Sequence, residues 1–167
     1  MKISKGIKSL SLFLIVILWA LFSSSCGVSV KPMSKQYISV ERGAIPPDFG
    51  VENSTLLCIA GNKGYTKYLV KNFESLYRRD FKVIEKNDLQ SDDYDDKEKY
   101  RFVFDFYDVS KVHTNSNGST TRSSKKFFII DRKDDKKYYC QFTTAYYSKL
   151  QKVYIEKLND KILAEKN

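Results

Sequence analysis

The sequence predicts an α+β fold: a mixed sheet of about five strands with two helices packed on it, in the order β-α-β-β-β-β-α. Three observations carry this expectation. Apolar runs of strand length recur between turn residues, and two other segments place apolar residues at helical spacing. The first helical segment also lies between two strand-like runs, which implies a parallel pair with a right-handed crossover. The chain has 167 residues, of which 42% are hydrophobic and 29% charged. That suits one globular domain with appendages and excludes collagen-like or wholly disordered chains.

Ser54 to Ala60 (STLLCIA) is a continuous apolar run, the pattern of a strand buried on both faces. Gly61-Asn62-Lys63-Gly64 follows as a loop. Tyr65, Tyr68, Leu69, Phe73, Leu76 and Tyr77 then share one stripe, predicting an amphipathic helix from about Thr66 to Arg79. Asp80 to Glu85 alternates at period two and reads as the second strand. Asn87 to Glu98 is a polar loop by composition. Tyr100 to Val109 is a long strand with Tyr100, Phe102, Phe104 and Phe106 on one face and Val103, Asp105, Tyr107 and Val109 on the other. His113 to Ser124 is rich in turn formers and reads as a mobile connection. Lys125 to Asp131 and Lys137 to Thr143 form a hairpin around Lys133-Asp134-Asp135-Lys136. Leu150, Tyr154, Leu158 and Ile162, backed by Val153, put one apolar stripe on a C-terminal helix from about Ala145 to Ala164. The single α+β domain is therefore expected over residues 55–167. Residues 26–54, with Pro32, Pro46 and Pro47, read as an extended tether, because proline fixes φ and removes a donor.

The N-terminus carries an export pattern. Lys2, Lys5 and Lys8 make a basic stretch without acids, and Leu10 to Phe22 is apolar except for Ser11. That run falls within the roughly 7–15 residues of a secretory core and short of the ~20 that span a bilayer. It ends at Ser23-Ser24-Ser25-Cys26. This resembles the lipobox of bacterial lipoproteins, whose signal peptidase cuts before a cysteine that receives a diacylglycerol and an amine-linked acyl chain. The resemblance implies a signal peptide over residues 1–25, lipidation at Cys26 and a membrane partner held through that anchor. Ser23 departs from the usual leucine, and such serine runs resemble those of small envelope lipoproteins of Bacteroidota. Those lipoproteins are also similar in the lead-in Ile45-Pro46-Pro47-Asp48-Phe49-Gly50 before an apolar strand. Gly27 stands where inner-membrane lipoproteins carry aspartate, which implies the outer membrane, with the leaflet open. Cleavage near Ser25 with Cys26 left as a free thiol, or an uncleaved anchor, are the alternatives.

The element order also resembles the small α/β domains of the Tol-associated propeller protein and of curli-secretion lipoproteins. That likeness implies a periplasmic protein-docking module without catalysis. No CxxC or Cys/His ligand spacing occurs, so no metal is expected, and no cofactor motif is read. Loss of three lysines with the signal would lower the net charge from +9 to +6. A basic surface reads first as plain solubility and second as attraction to anionic headgroups or envelope polymers; no nucleic-acid module signature is present, so no nucleic-acid partner is expected.

The remaining candidates are few. Cys58 and Cys140 lie in apolar strand contexts, so they read as two core thiols or as a disulfide permitted by an oxidising envelope. Gly61-Asn62-Lys63-Gly64 opens a helix, where anions can bind, but it is neither GxxxxGK[ST] nor GxGxxG. Asp92-Asp93-Tyr94-Asp95-Asp96 crowds carboxylates without the alternate spacing and glycine of an EF-hand loop. The single histidine, His113, has no companion for a triad or metal site. Tyr138-Tyr139 and Tyr146-Tyr147 put rings on both faces of their elements, which suits an interaction surface. The expected function is a lipid-anchored, non-enzymatic binding or assembly module of the envelope with a protein partner. The alternative is a small hydrolase or anion-binding protein that gathers Lys63, Asp105, Asp108 and His113.

Overall fold

A computed structural model of the chain describes residues 34–116 and 118–166. The expected signal peptide, Cys26 and the tether up to residue 33 lie outside the described residues. The elements are β1 (Leu56–Ile59), α1 (Lys63–Leu76), β2 (Phe81–Ile84), β3 (Phe102–Asn115), β4 (Gly118–Asp131), β5 (Lys136–Tyr139) and α2 (Tyr147–Ala164). The sheet order is β2-β1-β3-β4-β5. β1 pairs in parallel with β2 and β3, and the other pairs are antiparallel. The α+β class and the element order are those the periodicities predict.

β1 is flanked on both sides and buried along its length, which is why its sequence is unbroken apolar. α1 starts three residues earlier than its apolar stripe implies. Asn62 caps it by accepting from Tyr65 N at 2.9 Å, and Thr66 Oγ1 closes the entry turn by donating to Gly61 O at 3.1 Å. Tyr65, Leu69 and Phe73 face the core, and so do Leu150, Tyr154, Leu158 and Ile162 of α2. The helices share a sheet face with Cys58, Phe104, Phe127 and Ile129. Polar groups fix their register: Asn72 Nδ2 donates to Gln151 Oε1 at 2.8 Å, and Asn159 Nδ2 to Leu76 O at 2.7 Å.

Four expectations are corrected. Residues 34–54 are a run of turns folded onto the domain, with Ile38, Ala44, Ile45 and Phe49 buried in the helix-side core. Tyr154 Oη donates to Ala44 O there. No helix runs through Pro46-Pro47, but the apolar residues around them join α2 residues in the core. Secondly, Tyr100 precedes β3 and does not share the face of Phe102. It packs with Leu57, Ile59, Ile84 and Val103 on the opposite face. Residues 86–100, with two short 3₁₀ turns at Lys86–Gln90 and Asp92–Tyr94, form a strap over that second cluster. Arg132 pins the strap by donating from Nη1 to Tyr94 O at 2.6 Å and to Tyr100 O at 3.0 Å.

The third correction concerns 113–124. This stretch is not a loop but the distal half of a hairpin in which β3 and β4 stay paired from Phe102↔Asp131 to Asn115↔Gly118. Beyond Val109 and Ser124 neither strand has another neighbour in the described sheet, so the hairpin projects as a two-stranded arm. Gly118 at φ +122° supplies the backbone geometry that the turn needs. Fourthly, β5 ends at Tyr139 rather than Thr143. The β4–β5 turn occupies Arg132 to Asp135, with Asp135 at φ +58°.

Candidate binding face

The residues of the hydrolase reading do not converge. Asp105 and Asp108 are three apart on β3 and so lie on opposite faces of the sheet. Asp108 Oδ1 accepts from Lys125 Nζ at 2.7 Å on the helix side. Asp105 is only 4% exposed; it accepts from Phe106 N at 2.7 Å and lies 3.6 Å from Lys86 Nζ. His113 pairs in register with Thr120 far out on the arm, eight residues or roughly 26 Å along the strand from Asp105. Lys63 is exposed at the start of α1, where Asn62 already takes the cap. Asp96 Oδ1 is engaged by the backbone N–H groups of Glu98 and Lys99, both at 3.0 Å. Among the described residues no group of three or more His, Cys, Asp or Glu is placed to hold a metal.

Cys58 and Cys140 are free and buried, so the disulfide is not formed. The topology explains this. β3 and β4 lie between β1 and β5, and three strand spacings put the thiols about 14 Å apart, twice the Cα reach of a disulfide. Burial pushes the Cys140 thiol up to about 11 and raises that of Cys58 as well.

The four candidate tyrosines separate. Tyr138 is buried on the helix side. Tyr147 turns inward and meets Tyr65 at 5.7 Å between ring centroids. Both are therefore packing residues rather than interaction residues. Tyr146 is exposed at the N-cap of α2. Tyr139 is 39% exposed, and it belongs to an aromatic cluster with two exposed rings, its own and that of Tyr107.

That cluster is set by register. Asp105↔Phe128↔Tyr139 and Tyr107↔Lys126 are cross-strand neighbours on the face opposite the helices. The strap covers this face over β2, β1 and the start of β3, and leaves it open over β4, β5 and the middle of β3. Tyr107 (42% exposed), Phe128 and Tyr139 form a triangle with centroid separations of 6.0, 6.3 and 5.2 Å. Lys126 Nζ sits 5.8 Å from the Tyr107 ring and 5.4 Å from that of Tyr139, while Lys137 Nζ is 5.9 Å from Phe128. Cations within about 6 Å of a ring centroid are attracted by its face, and the lysine stems cover apolar surface while their heads stay in water. Beside the cluster an open groove of about 300 Å³ runs between the strap and the β4–β5 turn, lined by Leu89, Ile130 and Arg132.

Sequence reasoning named Tyr139 but missed Tyr107, Phe128, Lys126 and Lys137. The alternation was visible within each strand; which strands would be neighbours, and where the strap would stop, was not. A second aromatic cluster was also missed. Lys125 Nζ lies 4.1 Å from Phe106 and 5.1 Å from Tyr65 by ring centroid, inside the fold and paired with Asp108. No protein family matches the chain, and no curated protein matches it.

Proposed function

We propose that the chain is a lipid-anchored protein of the bacterial cell envelope that acts as a non-enzymatic docking module. It is attached through Cys26 to the outer membrane and presents the open β3–β4–β5 face to a protein partner. The observation that carries the docking half is the exposed pair Tyr107 and Tyr139, packed over the buried Phe128 and flanked by Lys126 and Lys137. Tyrosines with basic neighbours are the side chains that interfaces favour, because they offer large rigid area with a polar edge. The dispersal of Lys63, Asp105, Asp108 and His113 supports binding over hydrolysis.

The anchoring half rests on the export pattern and on Ser24-Ser25-Cys26. No helix of the described residues is long and apolar enough to cross a membrane. Two or more acyl chains hold a protein at a bilayer essentially irreversibly. In-cell crosslinking followed by pull-down tests the reading as a whole. Wild type is expected to recover a defined partner and Tyr107→Ala/Tyr139→Ala to lose it, while mass spectrometry of the mature chain is expected to find an acylated Cys26 as its first residue. Equal recovery by the double variant, or a first residue other than an acylated Cys26, contradicts the corresponding half.

A further inference from the structure

The two helices run in the same direction. Tyr147 at the start of α2 meets Tyr65 and Tyr68 of α1, Asn72 bonds to Gln151, and Leu76 O accepts from Asn159 two turns farther along. Both N-termini, the positive ends of the helix dipoles, therefore lie at one end of the helix layer. That layer covers the sheet face opposite Tyr107 and Tyr139.

Side-chain charge follows the same direction. Lys63, Lys67 and Lys71 recur every fourth residue on the exposed side of α1, and Lys149 and Lys152 stand on that of α2. No carboxylate occurs in residues 61–73 or in residues 136–155; Glu74 and Glu156 come only in the later turns. None of the five lysines enters an ion pair among the described residues. Asp108, which β3 brings to this end, is already held by Lys125 at 2.7 Å. Two rings stand in water among the lysines. Tyr68 is 45% exposed and Tyr146 is 56% exposed, with Lys149 Nζ 5.4 Å from the centre of the latter.

The chain enters the domain at this end. Ser34 O accepts from Tyr37 N at 3.0 Å, and the Tyr37 ring stacks at 5.9 Å on Phe142, four residues before Tyr146. Cys26 stands eight residues before Ser34, so by any course it lies within about 27 Å of it. A bilayer that holds Cys26 is within reach of the basic end.

We propose that this basic end of the helix layer lies on the surface of a bilayer containing anionic phospholipid, with its lysines on lipid phosphates and Tyr68 and Tyr146 at headgroup level. The attraction of lysines to an anionic surface accumulates residue by residue and fades within about 8 Å at physiological salt. A tether alone permits such contact; five uncompensated lysines on one side decide which side comes down. Acyl chains and a basic patch together are the pairing that holds peripheral proteins to membranes. Tyrosine suits the boundary because its body is apolar and its edge polar. A soluble acidic protein would meet the same charge, but lipid is the anionic surface that the anchor itself delivers to this end. With the helix layer down, the Tyr107–Tyr139 face points away from the membrane, free for its partner. The inference rests on the anchoring reading and adds the side of the domain that the membrane takes.

The full-length protein, purified in mild detergent and reconstituted at low density, tests it in two kinds of vesicle: phosphatidylcholine alone, and phosphatidylcholine with one third phosphatidylglycerol. A membrane-impermeant acylating reagent is applied, and the labelled lysines are read by mass spectrometry. On the anionic vesicles Lys67, Lys71, Lys149 and Lys152 are expected to label at least threefold more slowly than on the neutral ones, with high salt removing the difference. Lys126 and Lys137, on the open face, are expected to label alike on both. In Lys67→Gln/Lys71→Gln/Lys149→Gln/Lys152→Gln, whose substitutions are all at exposed positions, the protection of Lys63 is expected to disappear. Equal labelling on the two vesicles, equal protection of Lys126 and Lys137, or full protection of Lys63 in the variant overturns the proposal. The same spectra report on Cys26. An unacylated Cys26 removes the anchoring reading, whereas an acylated Cys26 with unprotected lysines leaves the anchor standing and removes this contact alone.

Discussion

Arg101 and Asp131 meet in a two-pronged ion pair, Nε to Oδ1 at 3.0 Å and Nη2 to Oδ2 at 2.8 Å, with both side chains buried at the base of the β3–β4 hairpin. Arg101 Nη2 also reaches Asp48 at 2.9 Å. The same guanidinium therefore ties the N-terminal turns to the sheet, and its partners hold its pKa above the usual arginine value. Lys133 and Glu52 extend the network to the surface at 3.2 Å.

Removal of one member leaves the other buried and uncompensated. Arg101→Met is expected to cost about 3–5 kcal/mol, measured by denaturant unfolding. Lys133→Met, whose ion pairs are open to solvent, is expected to change stability far less than Arg101→Met. A loss below about 1 kcal/mol for Arg101→Met would mean that the pair is not part of the folded core.

Gly50 tests whether residues 34–54 belong to the domain. Its φ is +95°, and a Cβ there would stand 2.9 Å from the Ile162 backbone of α2. Gly43 also has a positive φ, +68°, but a Cβ there would meet nothing within 4 Å. Gly43→Ala is expected to show only backbone strain of about 1 kcal/mol. Gly50→Ala adds overpacking of about 1–3 kcal/mol. Equal thermal shifts for the two variants would contradict the docking of this segment against α2.

The thiols of Cys58 and Cys140 are held neutral by burial, Cys140 with its pKa near 11 against an ordinary 9.0. Because the folded values are raised, the stability these thiols contribute is whole below about pH 9. It falls as pH climbs through the folded values, since the unfolded chain ionises first. At pH 8 both should resist a maleimide until denaturant is added, and two further thiols should then react. Mass spectrometry counts the adducts; labelling of either cysteine in the native protein would contradict the packing.

What was legible in the sequence was local and periodic. The run Leu56-Leu57-Cys58-Ile59 has to be a flanked strand, and the Tyr65–Phe73 stripe has to be a helix on an apolar partner. The outer half of β3 was invisible because Lys111, Val112, His113 and Thr114 lack apolar alternation, and the many turn formers of 113–124 hid the two-residue hairpin signal Asn117-Gly118 among them. Ile38, Ile45 and Phe49 were misjudged because proline-bounded turns show no period, and their burial depends on Tyr154 and Ile162 more than a hundred residues away. The working face was half legible. Tyr139 was one of four tyrosines read together as an interaction surface, but its neighbours come from β3 and β4 and become neighbours only through pairing register.

The most direct test of the docking account is a benzophenone side chain placed at Tyr139 and, in a separate strain, at Tyr68 on the exposed side of α1, with the full-length protein irradiated in living cells. The account predicts a discrete cross-linked product from Tyr139 that is absent from Tyr68. No product from Tyr139, or the same products from both positions, would contradict it.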